Sequence, residues 1–387
     1  GITSWAYALT QCRAVVLYLK LAVWPDPLVF YYGTDVVQNP AVVAPQAILL
    51  ALLAGGTLLA LWKRPVLGFL GAWFFLILAP SSSVVPLITQ TIAEHRMYLP
   101  LAAVVALAVI GLYSTIGPRS LIVFAAAAAG LGWLTVQRNR DYRSEEAIWS
   151  DTVAKRPDNA RARSNLATVL VDLPGRLPDA VAQYEASLQV NPNLAATHYD
   201  LGLALSRIPG RLPDAMAEYR AALKINPDLA EAHYSLGVAL APLKDGLAPA
   251  ITEFAAALRI NPNQVDARIG LGSALAELPG HLPEAIAEYE AALQIKPDSA
   301  EAHFNQGSLL SRVPGRLTDA ISEYEAALQI KPGFEEAHTN LGIILAGLPG
   351  RLPDAVKQFE AAARINPSSP ETHNNLEIAR QALRKLR

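Results

Sequence analysis

Two different rhythms of apolar residues run along this chain. In the first 140 residues the apolar positions are continuous, and residues 41–62, AVVAPQAILLALLAGGTLLALW, hold 22 uncharged positions in a row. At 1.5 Å per residue this is roughly 33 Å of helix, enough to cross a bilayer core of about 30 Å. Lys63, Arg64 and Pro65 form a tight turn into a second apolar run over 65–80, and SSSVVPLIT extends the apolar character toward a re-entrant loop. Residues 97–117 and 120–136 are two further runs parted by Pro118 and Arg119. The pattern predicts four spans in two helical hairpins, a membrane region over 1–137. Upstream, residues 5–24 set Arg13 and Lys20 beside apolar residues at helical spacing, which suits a helix at the interface or lining a polar cavity. With four spans, the loops 25–40 and 80–96 share a side with everything after residue 137.

Beyond a linker and half repeat at 138–159, the apolar positions become periodic. Pro157, Pro192, Pro227, Pro262, Pro297, Pro332 and Pro367 recur every 35 residues, the signature of stacked helical hairpins. In residues 195–229 a first helix ends at Pro209-Gly210 and a second opens at Pro213 with Asp214. Proline lacks the amide that a helix start leaves unpaired, and the aspartate suits the positive end of the helix dipole. Asn226-Pro227 then stops the second helix. The set Leu201, Gly202, Ala215, Tyr219, Ala222, Pro227 returns as Leu236, Gly237, Ala250, Phe254, Ala257, Pro262. It resembles the tetratricopeptide-repeat (TPR) pattern, whose usual period of 34 is lengthened here by one residue in the LPGRLPDA turn. The expected fold is all-α: a polytopic transmembrane helix bundle followed by a TPR α-solenoid, a right-handed superhelix of hairpins. Trp149 takes the large aromatic position of the half repeat, six full repeats fill 160–369, and a charged capping helix runs over 370–387.

The overall figures of 52% hydrophobic and 17% charged residues describe neither half. Residues 1–140 carry eight Lys and Arg against Asp26, Asp35 and Glu94, leaving 24 basic and 31 acidic residues to the remainder. An acidic repeat half has no clustered basic face for phosphates, which excludes nucleic acid as a partner. Cys12 stands alone, so an internal disulfide and a cysteine-based zinc site are excluded. The chain opens on Gly1 with no signal-peptide pattern and reads as a piece of a longer protein. Charge points both ways on orientation, with Lys63, Arg64 and Arg119 in the tight turns and Arg138, Arg140 and Arg143 after the last span.

Three constellations carry candidate chemistry. His198, His233, His303, His338 and His373 share one position of successive repeats. Helices pack about 8–10 Å apart while zinc ligands converge within about 2.3 Å of one ion, so packing between repeats accounts for them and no metal is expected. Two residues further on, Asn165, Asp200, Ser235, Gly270, Asn305, Asn340 and Asn375 form a column on the first helices, which line the concave surface of such solenoids. An amide carries both donor and acceptor, as a peptide bond requires. Tyr199, Tyr234 and Phe304 sit beside it and add apolar contact area. The column resembles the asparagine ladder of O-linked N-acetylglucosamine transferase, which implies a polypeptide ligand in the concave groove; asparagine before Leu-Gly as simple repeat consensus is the competing account. The third is IAEHRMYLP, which sets Glu94, His95, Arg96 and Tyr98 at a membrane boundary. Helix capping and interfacial anchoring explain these residues, and so does a site for a lipid-linked phosphate. A phosphate loop, a nucleophile elbow and an HExxH motif are all absent from the sequence.

LYLKLAVWPDPLVFYYG at 17–33 and APSSSVVPLITQTIAEHRMYLP at 79–100 are similar to segments of the transmembrane and tetratricopeptide-repeat O-mannosyltransferases and their bacterial relatives, type C glycosyltransferases that end in TPR arrays. Tyr31 stands where those proteins commonly have an aspartate. The resemblance implies transfer of a sugar from a polyprenyl-phosphate donor to protein hydroxyls, with no other cofactor evident. It implies an integral membrane protein, of the bacterial inner membrane, with its repeats on the periplasmic side. It also makes Glu94, His95, Arg96 and Tyr98 the donor-phosphate candidates and the asparagine column the acceptor's seat. The family's catalytic carboxylates belong to an earlier loop, so no catalytic residue is assigned and residues 1–387 alone are expected to be inactive. The competing function is a non-catalytic membrane-anchored TPR scaffold for envelope assembly or secretion. A transporter would need charged residues within the spans, and the four runs have none.

Overall fold

The computed structural model describes residues 4–23, 37, 39–78, 98–141 and 144–385, and every regular element within them is a helix. The chain divides into two compact units, Gly1–Ala204 and Leu205–Arg387.

In the first unit α1 (Ser4–Val23) precedes a 3-10 turn at Pro40–Val43, α2 (Ala44–Lys63), α3 (Pro65–Leu78), α4 (Tyr98–Ile116) and α5 (Ser120–Asp141). The Arg64 amide donates to the Ala60 carbonyl at 2.7 Å to close α2, and Pro65 opens α3 where no amide partner is needed. The two helices then pack tightly. A Cβ on Gly68 would lie 2.2 Å from the Leu61 nitrogen, and one on Gly71 would lie 2.4 Å from Thr57 Oγ1. Small residues at a helix contact are the packing device of membranes, where burying leucine away from lipid gains nothing. Thr57 donates its hydroxyl to the Leu53 carbonyl at 2.8 Å and so presents no unpaired donor. The 3-10 turn is fixed to α1 through Leu9, Val37 and Val43, with the Val37 amide donating to Thr10 Oγ1 at 2.9 Å.

Two helical stretches among the described residues are long and apolar enough to cross a membrane, Pro40–Lys63 and Val105–Ala127. The second runs through the turn at Gly117–Arg119, where the sequence placed a reversal between two spans. With 14 residues, α3 is roughly 21 Å long. These helices do not wrap a core: Leu52, Leu58 and Trp62 are 69%, 69% and 82% exposed, and Ile122 is 74% exposed. Apolar surface of this extent needs lipid or protein over it.

The first unit continues with α6 (Glu145–Lys155), α7 (Ala160–Val171), α8 (Leu177–Val190) and α9 (Ala195–Ser206). The second holds α10 (Leu212–Ile225), α11 (Ala230–Leu240), α12 (Leu247–Ile260), α13 (Val265–Ala276), α14 (Leu282–Ile295), α15 (Ala300–Leu310), α16 (Leu317–Ile330), α17 (Glu335–Ala346), α18 (Leu352–Ile365) and α19 (Pro370–Lys385). Within each unit consecutive helices pack as hairpins, α7 with α8, then α11 with α12 and onward to α17 with α18. Each of these hairpins is closed on an aromatic ring from its second helix: Tyr184, Phe254, Tyr289, Tyr324 and Phe359 are at most 2% exposed. The first helix meets the ring with glycine. A Cβ on Gly237, Gly272, Gly307 or Gly342 would lie 2.7–3.2 Å from ring carbons of Phe254, Tyr289, Tyr324 or Phe359.

The turn inside the hairpin repeats its chemistry as well. Gly175, Gly210, Gly280, Gly315 and Gly350 have φ of 75–86°, a region open to glycine. After four of them the next residue is Arg176, Arg211, Arg316 or Arg351, whose guanidinium pairs with Asp179, Asp214, Asp319 or Asp354 in the first turn of the second helix; after Gly280 it is His281, which faces Glu284 at 3.8 Å. These pairs are exposed, so water screens them strongly and they serve more to repeat the turn's geometry than to stabilise it. The repeat over 230–264 departs from this: Asp245 takes the glycine position, and Gly246 follows with φ −86°.

Candidate functional site: the inner face of the first helices

In the second unit the contacts between like helices run through the first helices, α11 with α13, α13 with α15 and α17 with α19, and the second helices make none of comparable extent. The first helices therefore form the inner face, and the predicted column lies on it. Asn165, Asp200, Ser235, Asn305, Asn340 and Asn375 are all half-buried, which leaves each side chain anchored yet reachable.

The column is not uniform. Gly270 is the gap: it offers no side chain, and a Cβ there would lie 2.8 Å from the Phe254 ring, which would have to shift. Asp200 departs chemically, because burial raises its carboxyl above the ordinary range. Its protonated form carries one donor and one acceptor, the pattern of the amides at the same position. Asn305, Asn340 and Asn375 remain as an uninterrupted set on α15, α17 and α19.

Behind the column stands a second one that the sequence reading missed. Three residues after Asn165, Gly270 and Asn305, Thr168, Ser273 and Ser308 reach the ring hydroxyls of Tyr184, Tyr289 and Tyr324 at 2.9–3.0 Å, whereas Leu203 holds that place in the repeat of Tyr219. Where the ring is Phe254 or Phe359, the partner position holds Val238 or Ile343, 47% and 49% exposed. The offset of 16 residues between hydroxyl and tyrosine was visible in the sequence. Asn340 Nδ2 donates to the Tyr324 hydroxyl at 3.4 Å, a long bond that ties the column to this network. Burial pushes the Tyr184 hydroxyl up to about 12, with Asp200 and Asp172 adding to the effect and the Thr168 bond opposing it. Burial likewise raises Tyr289.

The predicted aromatics are packed more deeply than a contact role alone requires. The Tyr234 ring lies 6.0 Å from Phe254, and Phe304 lies 5.8 Å from Tyr324 and 4.7 Å from Phe334. Tyr199 is half-buried on α9. The Lys331 ammonium sits 4.3 Å from the Phe334 centroid. Beside this stack a groove of about 600 Å³ opens between α13, α15 and the turn before α17, with Asn305, Phe304 and Phe334 among its walls.

Of the five histidines that share one position, three fasten two elements at once; the other two, His198 and His373, turn Nε2 to the Pro192 and Pro367 carbonyls at 3.0 and 2.8 Å. His233, His303 and His338 each turn Nε2 to the carbonyl of Pro227, Pro297 or Pro332 at 3.1 Å. Their Nδ1 atoms meet Glu253, Glu323 and Gln358 on the second helix at 2.6 Å. Arg163 and Arg268 make the same two contacts from the same position. Each ring pins its first helix to the preceding turn and to its own second helix, so the packing is within the hairpin. Among the described residues no group of three His, Cys, Asp or Glu side chains is placed to hold a metal ion. Of the membrane-boundary candidates, Tyr98 begins α4, and Glu94, His95 and Arg96 lie outside the described residues.

Comparison with known proteins agrees with this architecture. Residues 207–243 and 280–312 match the family described as TPR repeat, and 315–370 match the family described as Tetratricopeptide repeat. The chain carries tetratricopeptide repeats. Over 125 residues it is 27% identical to Protein O-mannosyl-transferase Tmtc2 of Drosophila melanogaster, a match covering 31% of this chain and 13% of that protein. Among solved structures, it is similar to YrrB, titled a TPR protein with an unusual peptide-binding site, with 23% identity and a TM-score of 0.42. That similarity covers 49% of this chain and 95% of YrrB. TTC0263, a TPR protein of Thermus thermophilus, gives 22% identity, coverage of 48% and 98%, and a TM-score of 0.40.

Proposed function

We propose that the inner face of the first helices binds an extended polypeptide and that the apolar helices hold this receptor in a membrane. The observation that carries the reading is the run of half-buried amides at Asn305, Asn340 and Asn375, which continues from helix to helix beside an open groove. Amides in that arrangement suit backbone recognition because each offers both halves of a peptide hydrogen bond. Replacing the three by alanine should weaken binding of an unstructured polypeptide by at least roughly tenfold while leaving far-UV circular dichroism unchanged. Equal binding by the triple variant would refute the amide track.

The fuller proposal makes this chain the C-terminal part of a membrane-bound protein O-glycosyltransferase that takes a polyprenyl-phosphate sugar donor. The solenoid then presents the acceptor on the extracytoplasmic side. Support comes from the ERxxYLP-like segment at 94–100 and from the partial likeness to an O-mannosyl-transferase. In this reading Glu94, His95, Arg96 and Tyr98 contact the donor phosphate. Arg96→Ala, introduced at the native gene, tests it by loss of protein glycosylation with normal expression. A non-catalytic membrane scaffold is the second reading, favoured by family matches that lie wholly within the repeats, residues 207–370. Unchanged glycosylation in the Arg96 variant and in a gene deletion would leave the scaffold.

A further inference from the structure

The repeats of this chain serve as one another's controls, and around the groove beside Asn305 they break their own rules. Where the second helix ends, Asn191, Asn226, Asn261 and Asn366 each accept a bond through Oδ1 from the amide two residues on, at 3.0–3.3 Å. Lys296 and Lys331 take that position in the two repeats bordering the groove, as Arg156 does in the half repeat, and a cationic side chain cannot accept the bond. The residue just before the first helix is Leu194, Leu229, Gln264, Ser299 or Ser369 in other repeats, and is Phe334 at the groove's edge. A local rule given up at a cost in stability marks a place kept for another purpose.

The groove combines apolar and acidic walls. Val265, Phe304 and Ile330 supply apolar surface, and Asp266, Asp298 and Glu301 line it together with the two lysines. Lys331 already rests on Phe334, and none of the three carboxylates has an ion-pair partner among the described residues. The excess of negative charge continues along the same face. Glu231, Asp266, Glu301, Glu336 and Glu371 stand at equivalent places in the first turns of five successive first helices, all exposed. An arginine or lysine side chain fits both parts of the groove, laying its aliphatic stem on apolar surface while its cationic head meets carboxylates.

We infer that the groove is a specificity pocket for a basic side chain of the bound polypeptide; this rests on the polypeptide-binding reading above. The stem lies along Phe304 and Ile330 and the head reaches Asp266 and Glu301. The track of amides holds the backbone, and the pocket selects the segment.

The test is phage display of random 12-residue peptides against the full chain in phosphatidylcholine nanodiscs. Selection is run in parallel on Asp266→Lys/Glu301→Lys, on the uncharged pair Asp266→Asn/Glu301→Gln, and on the Asn305, Asn340 and Asn375 alanine triple. Both acids are exposed, so the fold is kept, which far-UV circular dichroism checks. The unaltered chain should enrich Arg and Lys, and affinity for a selected peptide should fall roughly tenfold in the uncharged pair and further in the reversed one. Peptides that depend on the asparagines but show no basic enrichment would overturn the pocket and leave the amide track standing. Apolar enrichment indifferent to charge reversal would also overturn it. Recovery of no peptide on any variant would refute both the track and the pocket.

Discussion

Gln306 occupies a column that is otherwise leucine, and exchanging it for leucine measures what this exception costs. Leu166, Leu201, Leu236, Leu271, Leu341 and Leu376 hold the same position in the other first helices, 1–8% exposed. Gln306 is 5% exposed, and its Oε1 has no hydrogen-bond partner. A buried acceptor left unpaired costs about 1–3 kcal/mol. Fixing a glutamine side chain costs roughly 1 kcal/mol more rotamer entropy than fixing a leucine. Against this stands the different branching of leucine, which costs up to about 1 kcal/mol if the neighbours must shift. Gln306→Leu should therefore stabilise its repeat by about 1 to 4 kcal/mol. In a repeat array such a change is felt locally, so the assay is native-state amide exchange, read as increased protection in α15 and α16. The reverse change Leu341→Gln, one repeat on, should reduce protection in α17 and α18 by a similar amount. Unaltered or lower protection around position 306 in the Gln306→Leu variant would show that Oε1 is satisfied in solution and would refute the argument.

Three further outcomes are expected. Tyr324→Phe and Ser308→Ile should each destabilise by about 1 kcal/mol and together cost less than their sum, because the pair recreates Phe359 and Ile343; additive losses in urea unfolding would deny the coupling. Gly342→Ala should cost about 1–3 kcal/mol, since its Cβ would meet the Phe359 ring at 2.7 Å, and an unchanged unfolding midpoint would mean that the ring gives way. The raised Tyr184 makes a statement about pH: its folded value lies above its unfolded one, so its contribution is complete below about pH 10 and is lost as pH rises toward 12. That loss is on the order of 2 kcal/mol, and Tyr184→Phe should flatten the alkaline limb of the stability profile measured by urea titration.

The hairpins were legible because their punctuation is chemical and local. Proline at one helix start, asparagine-proline at one helix end and glycine-arginine in the turn act within a few residues, so a 35-residue period predicts where helices begin and stop. The histidine column was equally visible, yet its meaning lay in a carbonyl six residues back and a carboxylate or amide oxygen twenty residues ahead, brought together by the fold. Gln306 shows the same limit. Its place among leucines is a fact of the sequence, but only burial turns a polar residue into an unsatisfied one. The gap at Gly270 was visible as a glycine in the column, but the Phe254 ring that lies against it comes from the preceding hairpin and only the fold brings it there. In the membrane half, length and apolarity were legible, whereas the close contact of Gly68 and Gly71 with α2 depends on helix rotation, which a uniformly apolar run does not encode.

The histidine pins confine their bonds to a short stretch of chain, from Pro297 through His303 to Glu323 in one instance. Each 35-residue block that holds such a histidine thus carries this pin within itself, whatever other bonds join it to its neighbours. A block copied in frame would arrive with its pin complete, and one deleted would take its pin with it. The length of the inner track can then change in steps of one helix spacing, roughly 8–10 Å, about three residues of an extended ligand. A protein built this way can adjust how long a segment it reads by duplication alone, with no new contact to be invented.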